Sequence, residues 1–319
     1  MSYANKQKGF ALIVVVFMIM SIILSLVSFL YMKSSESYSD LYDSESSRVN
    51  LMTRVNEEIT SFYISHSNDF LEDSLPAYLT DEYIASNLEI PSRSSAFLQV
   101  RVSDIKENDL IRWRNIYAWI PLSDGMDESN FDPSADFENA FTPSDGVRWT
   151  SYSGVVHETK RLESSIKQLN DIGRNIQLMG LGNVNDDFFR NASINYFANC
   201  EESPDPSPTA TAPLPRPGYA SNYPSISCAP AGGAAELSSL NAESALGIPS
   251  QKMKNNWENP IMIANHSNDD PTGNYVTTHI TLNGEMIEYN SVNVPFSFVL
   301  FSETSKANTY IHTVVTQIL

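Results

Sequence analysis

Residues Phe10 to Met32 read FALIVVVFMIMSIILSLVSFLYM, 23 consecutive residues without a charged side chain. A run of that length spans the hydrocarbon layer of a bilayer as a helix. It follows a nine-residue leader, MSYANKQKG, whose charged residues are Lys6 and Lys8. A secretory signal has a shorter apolar core and a small-residue cleavage site; no A-x-A pattern follows Met32. The two leader lysines hold the short N-terminal side in the cytoplasm, while acids follow Lys33 on the far side. The bulk of the chain is therefore expected outside the cytoplasm.

The absence of helix breakers extends the same element. No glycine or proline occurs between Phe10 and Leu75, although the chain holds 13 glycines and 17 prolines. Beyond the apolar run, Tyr38, Leu41, Tyr42, Val49, Met52, Val55, Ile59, Phe62 and Tyr63 recur mostly at steps of three and four, an amphipathic stripe. One helix over 10–65 would be about 80 Å long. Its first part, 10–32, would sit in lipid, its second, 33–65, would bury one face in a domain, and 66–319 would form the head.

The border between leader and apolar run adds a resemblance. Lys8-Gly9-Phe10 opens the segment KGFALIVVV, which resembles the K-G-F-T-L-I-E-hydrophobic start of type IV prepilins and type II secretion pseudopilins. The likeness covers roughly a tenth of the chain. It implies that a membrane prepilin peptidase removes residues 1–9 after Gly9 and that the new terminus, Phe10, is N-methylated. It implies storage in the inner membrane as a single-pass protein with its head in the periplasm, then packing against other pilins or pseudopilins through the N-terminal helix. The fold it implies is α+β and pilin-like: a long N-terminal helix packed on a C-terminal antiparallel sheet, with an enlarged head.

The chain departs from the pattern at Val14, where most members carry a glutamate that neutralises a neighbour's terminal amine; the next acid is Glu36. A buried amine without a counter-charge is costly, so the departure points to a minor subunit at the tip or in the initiation complex. Trp257-Glu258-Asn259-Pro260 is similar to the W-G-N-P turn that precedes the sheet in many pseudopilins, with Glu258 in place of glycine.

The head is acidic. A net charge of −18 opposes nucleic acid and anionic lipid headgroups as partners. Its two cysteines, Cys200 and Cys228, would close a 29-residue loop as a disulfide in an oxidising compartment. Between them ESPDPSPTATAPLPRPG holds six prolines, so 203–217 reads as an extended loop.

FLQVRV (Phe97–Val102) and IYAWIPL (Ile116–Leu122) read as strands. A helical stripe of Leu162, Ile166, Leu169, Ile172, Ile176 and Met179 runs from Val155 to about Leu181, with Gly180 and Gly182 expected to end it. In 275–319, Tyr275–Leu282, Asn283-Gly284 and EMIEYN read as a hairpin, followed by strands Val294–Ser302 and Thr309–Leu319. These four strands are expected to pack on the N-terminal helix.

No arrangement in the sequence announces an enzyme. The five histidines, His66, His157, His266, His279 and His312, are scattered, and no nucleophile elbow, phosphate loop or dinucleotide fingerprint is present. Asn268, Asp270, Thr272 and Gly273 match positions 1, 3, 5 and 6 of a calcium loop, but the twelfth position is His279, which excludes an EF-hand. A looser calcium site would use Asp269 and Asp270; Asp124, Asp127, Glu128 and Asp132 form a second acidic cluster. The sequence reading is thus a non-enzymatic minor pilin or pseudopilin at a filament tip or initiation complex. Its alternatives are the tip pseudopilin of type II secretion and a signal-anchored periplasmic binding or adhesin protein.

Overall fold

The computed structural model describes residues 45–90, 98–121, 129–186, 196–199, 224, 226–227, 229, 234–265, 278–289 and 296–318. The leader and the apolar run therefore lie outside the described residues, as do Gly9, Phe10, Val14 and the proline-rich 203–217.

Among the described residues two helix-on-sheet layers form. In the first, helix α1 (Glu45–Ser65) leads through a single helical turn, α2 (Ser67–Phe70), to α3 (Asp81–Asn87). Thr80 caps α3: its Oγ1 accepts the Tyr83 N–H at 3.1 Å, leaving Asp81 and Glu82 in the first turn, where the helix dipole favours them. An antiparallel sheet follows, in the order β1 (Gln99–Val102), β4 (Asn115–Ile120), β7 (Arg148–Ser153). Between its first two strands run β2 (Lys106–Glu107) and β3 (Arg112–Trp113), a small antiparallel pair.

Strand β4 is central, and its alternation divides two cores. Ile116 and Ala118 meet Leu51, Val55, Ile59 and Phe62 of α1 together with Ile84 of α3. Tyr117 and Trp119 point the other way and pack with Ala140, Phe141 and Val147, on and beside the pair β5 (Asn130–Phe131) and β6 (Phe141–Thr142). A strand covered on both faces is apolar throughout, which is why NIYAWI does not alternate.

The second layer is built on α4 (Val155–Asp186), which lies across a four-stranded antiparallel sheet. Parallel to one another, β8 (Ala198–Asn199) and β9 (Ile226–Ser227) form a short pair next in sequence. The sheet has the order β10 (Ala235–Glu236), β11 (Met262–Ala264), β14 (Ser297–Glu303), β15 (Tyr310–Thr316), and a short helix, α5 (Ala242–Leu246), lies between its first two strands in sequence. Leu169, Ile172 and Ile176 of α4 pack against Phe298, Leu300, Ile311 and Val315. Burying each such side chain contributes about 1.5–3 kcal/mol. On the opposite face Val299 and Phe301 meet Leu282, Ile287 and Tyr289 from the hairpin β12 (Thr278–Leu282) and β13 (Glu285–Tyr289).

The expected architecture is corrected in three respects. The helix on the C-terminal sheet is α4, not the N-terminal helix, and among the described residues no helix is long and apolar enough to cross a membrane. The described helix that carries the expected amphipathic stripe is α1 (Glu45–Ser65), and that stripe is spent on β1, β4 and β7 instead. What gives α4 the sheet is close approach. A Cβ on Gly173 would stand 2.8 Å from Val315 Cγ2, so glycine lets helix and strand meet. Gly180 does not end the helix either: it sits under the ring of Phe197, and the helix continues to Asp186. Finally, the Asn283-Gly284 hairpin forms as expected, with φ of 54° and 79° as a type I′ turn requires, but it lies on the sheet's second face and does not join it.

Candidate functional site

A cluster of buried polar and charged side chains stands where the two layers meet. Glu158 and Arg161 belong to the first turns of α4, and Trp257 to the turn Lys254–Pro260 ahead of β11. Glu158 is completely buried. Its Oε2 accepts the indole Nε1–H of Trp257 at 2.6 Å, and its Oε1 accepts from Arg161 Nη1 at 3.4 Å. Arg161 also donates from Nε to the Asn256 carbonyl at 3.0 Å, from Nη1 to Ser67 Oγ at 3.1 Å and from Nη2 to Asn68 Oδ1 at 2.6 Å. Its guanidinium carbon lies 5.6 Å from the centre of the Trp257 ring, within cation–π range.

Arg161 thereby joins α2 of the first layer to the turn of the second. Ser165, one helical turn further along α4, accepts the Asn256 N–H at 3.1 Å. Asn255, buried, shapes the turn from inside: its Oδ1 accepts from the N–H groups of Trp257 at 2.9 Å and Asn259 at 3.0 Å, while its Nδ2 donates to Ser302 Oγ of β14 at 3.0 Å. Glu258 completes the turn with φ +68°, left-handed backbone that a branched or bulky residue rarely adopts.

A second cation, Arg114, is also buried. Arg114 donates from Nε to the Phe70 carbonyl at 3.1 Å, from Nη1 to Ser103 O at 3.0 Å and from Nη2 to the carbonyls of Glu72 and Asp73 at 3.0 Å. The fork of donors fits these four carbonyls as it would a carboxylate. Above it the Tyr63 ring stacks on Phe70 at 4.9 Å, and its hydroxyl lies against Gly154 and the carbonyl of Arg114. Only glycine fits at 154, because any Cβ would overlap that hydroxyl.

Burial dominates the titration of the whole group. It pushes the Glu158 carboxyl up, against the opposing pull of Arg161 and the Trp257 hydrogen bond. It pushes the Arg161 and Arg114 guanidinium values down, with Glu158 partly restoring the first. His157 is lowered by burial and then by Arg161 and Lys160. Tyr63 is raised by burial and by the Glu158 charge. In the pair Glu158–Arg161, desolvation therefore outweighs mutual attraction for each partner, the usual balance for an ion pair away from water.

Chemically this arrangement is a clamp. The carboxylate oxygens and the donors of both guanidinium groups point at other parts of the chain, so the cluster fixes α2, α4 and the 254–260 turn relative to one another. The residues singled out from the sequence are elsewhere. Gly9, Phe10, Cys200, Cys228, Asp269 and Asp270 lie outside the described residues. His66 stacks on Phe62 at 4.2 Å, His279 and His312 are exposed on separate strands, and His157 is half-buried near Tyr63. Asp132 stays exposed and accepts from the Ser134 hydroxyl at 2.7 Å and then from the Ser134 N–H at 2.9 Å, which together hold its carboxyl below the usual range. Among the described residues no group of three or more His, Cys, Asp or Glu is placed to hold a metal ion.

Sequence reasoning missed the clamp, although a signal was there. Glu158, Arg161 and Ser165 fall in phase with Leu169, Ile172 and Ile176, so charges sit on the apolar stripe of α4 where a solvated face would not put them. No protein-family model, curated protein or solved structure matches this chain.

Proposed function

We propose that the chain is a minor subunit of a type IV pilus-like or type II secretion filament, released from its leader by prepilin peptidase and held in the inner membrane by Phe10–Met32. The observation that carries this reading is the junction Lys8-Gly9-Phe10 at the polar edge of a 23-residue charge-free run. An ordinary anchor has no need of that tripeptide at its border. Val14, where a shaft subunit would place its glutamate, favours the tip or the initiation complex.

A further feature supports the reading. Glu258 occupies left-handed backbone in the turn whose counterpart in pseudopilins carries glycine, so the turn has the conformation that a glycine there would serve. The proposal concerns processing and assembly; it does not require the N-terminal helix to reach the C-terminal sheet. On this reading the protein catalyses nothing: its partners are prepilin peptidase, the membrane and other filament subunits, and the acidic head binds no nucleic acid.

The test is the N-terminus of the protein recovered from membranes of its own host, read by mass spectrometry. N-methylated Phe10 is expected, and Gly9→Val should retain residues 1–9. A wild-type chain still beginning at Met1 overturns the proposal and leaves a signal-anchored protein.

A further inference from the structure

The outer edge of the C-terminal sheet is a strand closed at both ends by side chains. In the β14–β15 ladder the Thr304 N–H bonds to the Thr309 carbonyl at 2.8 Å and the Gln317 N–H to the Phe296 carbonyl at 2.7 Å. These bonds fix the alternation of the ladder. Tyr310, His312, Val314 and Thr316, opposite Glu303, Phe301, Val299 and Ser297, direct their backbone groups away from β14. At one end Asn283, from the turn of the β12–β13 hairpin, takes both groups of Tyr310. Its Oδ1 accepts the N–H at 2.7 Å and its Nδ2 donates to the carbonyl at 2.7 Å. At the other end Gln177 of α4 donates from Nε2 to the Thr316 carbonyl at 2.9 Å. Between them the N–H and C=O groups of His312 and Val314 face outward, beside an exposed imidazole and a Val314 side chain that is 45% exposed.

An open edge of this kind pairs most readily with another copy of itself. From Thr309 to Leu319 no side chain is charged apart from the titratable His312, so two copies of a chain with net charge −18 meet least repulsion there. An antiparallel pairing about Thr313 sets His312 against Val314 of the second copy and satisfies all of the open groups. The same register brings Thr316 of the second copy onto Tyr310, whose backbone is already taken by Asn283. By symmetry each copy meets the other's two amides.

We propose that Asn283 and Gln177 are guards on the β15 edge that exclude a second copy of this chain, and that removing them opens the strand to homotypic pairing. The device lets a secreted head carry an uncharged edge strand without self-association. It is independent of how the N-terminus is processed.

Asn283→Gly removes one guard while keeping a residue suited to φ +54°. Gln177→Ala removes the other at a half-buried helical position that alanine favours. The full chain in detergent micelles is weighed by sedimentation equilibrium, and amide exchange is followed at His312 and Val314. Wild type should keep one mass over a range of concentration, with both amides exchanging fast. The double variant should double its polypeptide mass per micelle as concentration rises and protect both amides. Adding Val314→Lys, which places a charge on the exposed edge, should return it to the wild-type mass. The proposal is overturned by a folded double variant whose mass and exchange match wild type, or by an increase in mass that Val314→Lys leaves in place. Wild type already protected at His312 and Val314 in a concentration-dependent way would also overturn it.

Discussion

The indole N–H of Trp257 bonds at 2.6 Å to a carboxylate, Glu158, that solvent does not reach. Arg161 is the counter-charge that makes this tolerable, and its loss should cost the head about 3–5 kcal/mol near neutral pH, the usual range for a buried charge stripped of its partner. The pH dependence has a definite sign. Burial raises the folded-state value of Glu158, so the stability it contributes is present at acid pH and is lost as pH rises through that value. In Arg161→Met the opposing charge is gone and the carboxyl is pushed up further. The deficit relative to wild type should be largest at pH 8 and shrink towards pH 5, and Glu158→Gln added to Arg161→Met should recover part of it. Chemical denaturation of the full chain in mild detergent at both pH values checks this; a deficit independent of pH would show that the lost hydrogen bonds to Ser67, Asn68 and Asn256 are its whole origin.

The clamp also shows what the sequence could and could not reveal. Asn283-Gly284 announces its turn because both residues sit at positive φ, a demand few other dipeptides meet. The stripe of α4 announces its helix through its period. Which helix covers the C-terminal sheet is not written in either stripe, since α1 and α4 both offer an apolar face of suitable spacing. The choice falls on Gly173, whose missing side chain admits Val315. Glu158 and Arg161 were hidden because charges on a helix are by default read as solvated, and only their phase with Leu169 and Ile176 betrays burial. The residues chosen from the sequence as sites, Gly9, Phe10, Cys200, Cys228, Asp269 and Asp270, lie outside the described residues, so the chemistry read there rests on sequence.

Glu258 holds φ +68° with its side chain in solvent, where an ion pair to Lys254 at 3.9 Å is exposed and of little worth. Left-handed backbone costs an ordinary residue about 1–2 kcal/mol, and glycine adopts it freely at some cost in unfolded-state entropy. Glu258→Gly should therefore raise stability by about 0.5–1 kcal/mol, seen as a higher denaturation midpoint with an unchanged slope. A lower midpoint would mean that the ion pair or the carboxylate's place in the turn matters more than backbone strain.

Three glycines of α4 separate propensity from packing. Gly182 has open space where a Cβ would go, so Gly182→Ala should stabilise the head by about 0.5–1 kcal/mol through helix propensity alone. A Cβ on Gly173 would meet Val315 Cγ2 at 2.8 Å, and one on Gly180 would meet Phe197 Cδ1 at 2.6 Å. There the clash exceeds the propensity gain, and alanine should destabilise by about 1–3 kcal/mol as overpacked core positions do. Denaturation midpoints of the three variants should thus fall on opposite sides of wild type, and a rise at Gly173 would remove close approach as the reason α4 lies on the sheet.

The parallel pair β8–β9 ends one residue short of each cysteine. Ala198 is opposite Ile226 and Asn199 opposite Ser227. The bridge expected from the sequence between Cys200 and Cys228, which lie outside the described residues, would close a 29-residue loop. Chain entropy assigns such a bridge about 3–4 kcal/mol. Protein isolated from its host without reductant should show no reactive thiol until it is reduced, and Cys200→Ser with Cys228→Ser should lose about that much stability. The variant should loosen the end of α4 first, because Asn183 donates to the carbonyls of Tyr196 and Pro224, on the chains leading to the two cysteines, at 3.1 and 3.0 Å. Faster amide exchange confined to the last turns of α4 would show that the bridge secures this corner, whereas two free thiols in the native protein would mean that β8 and β9 hold it by packing around Phe197 and Ile226 alone.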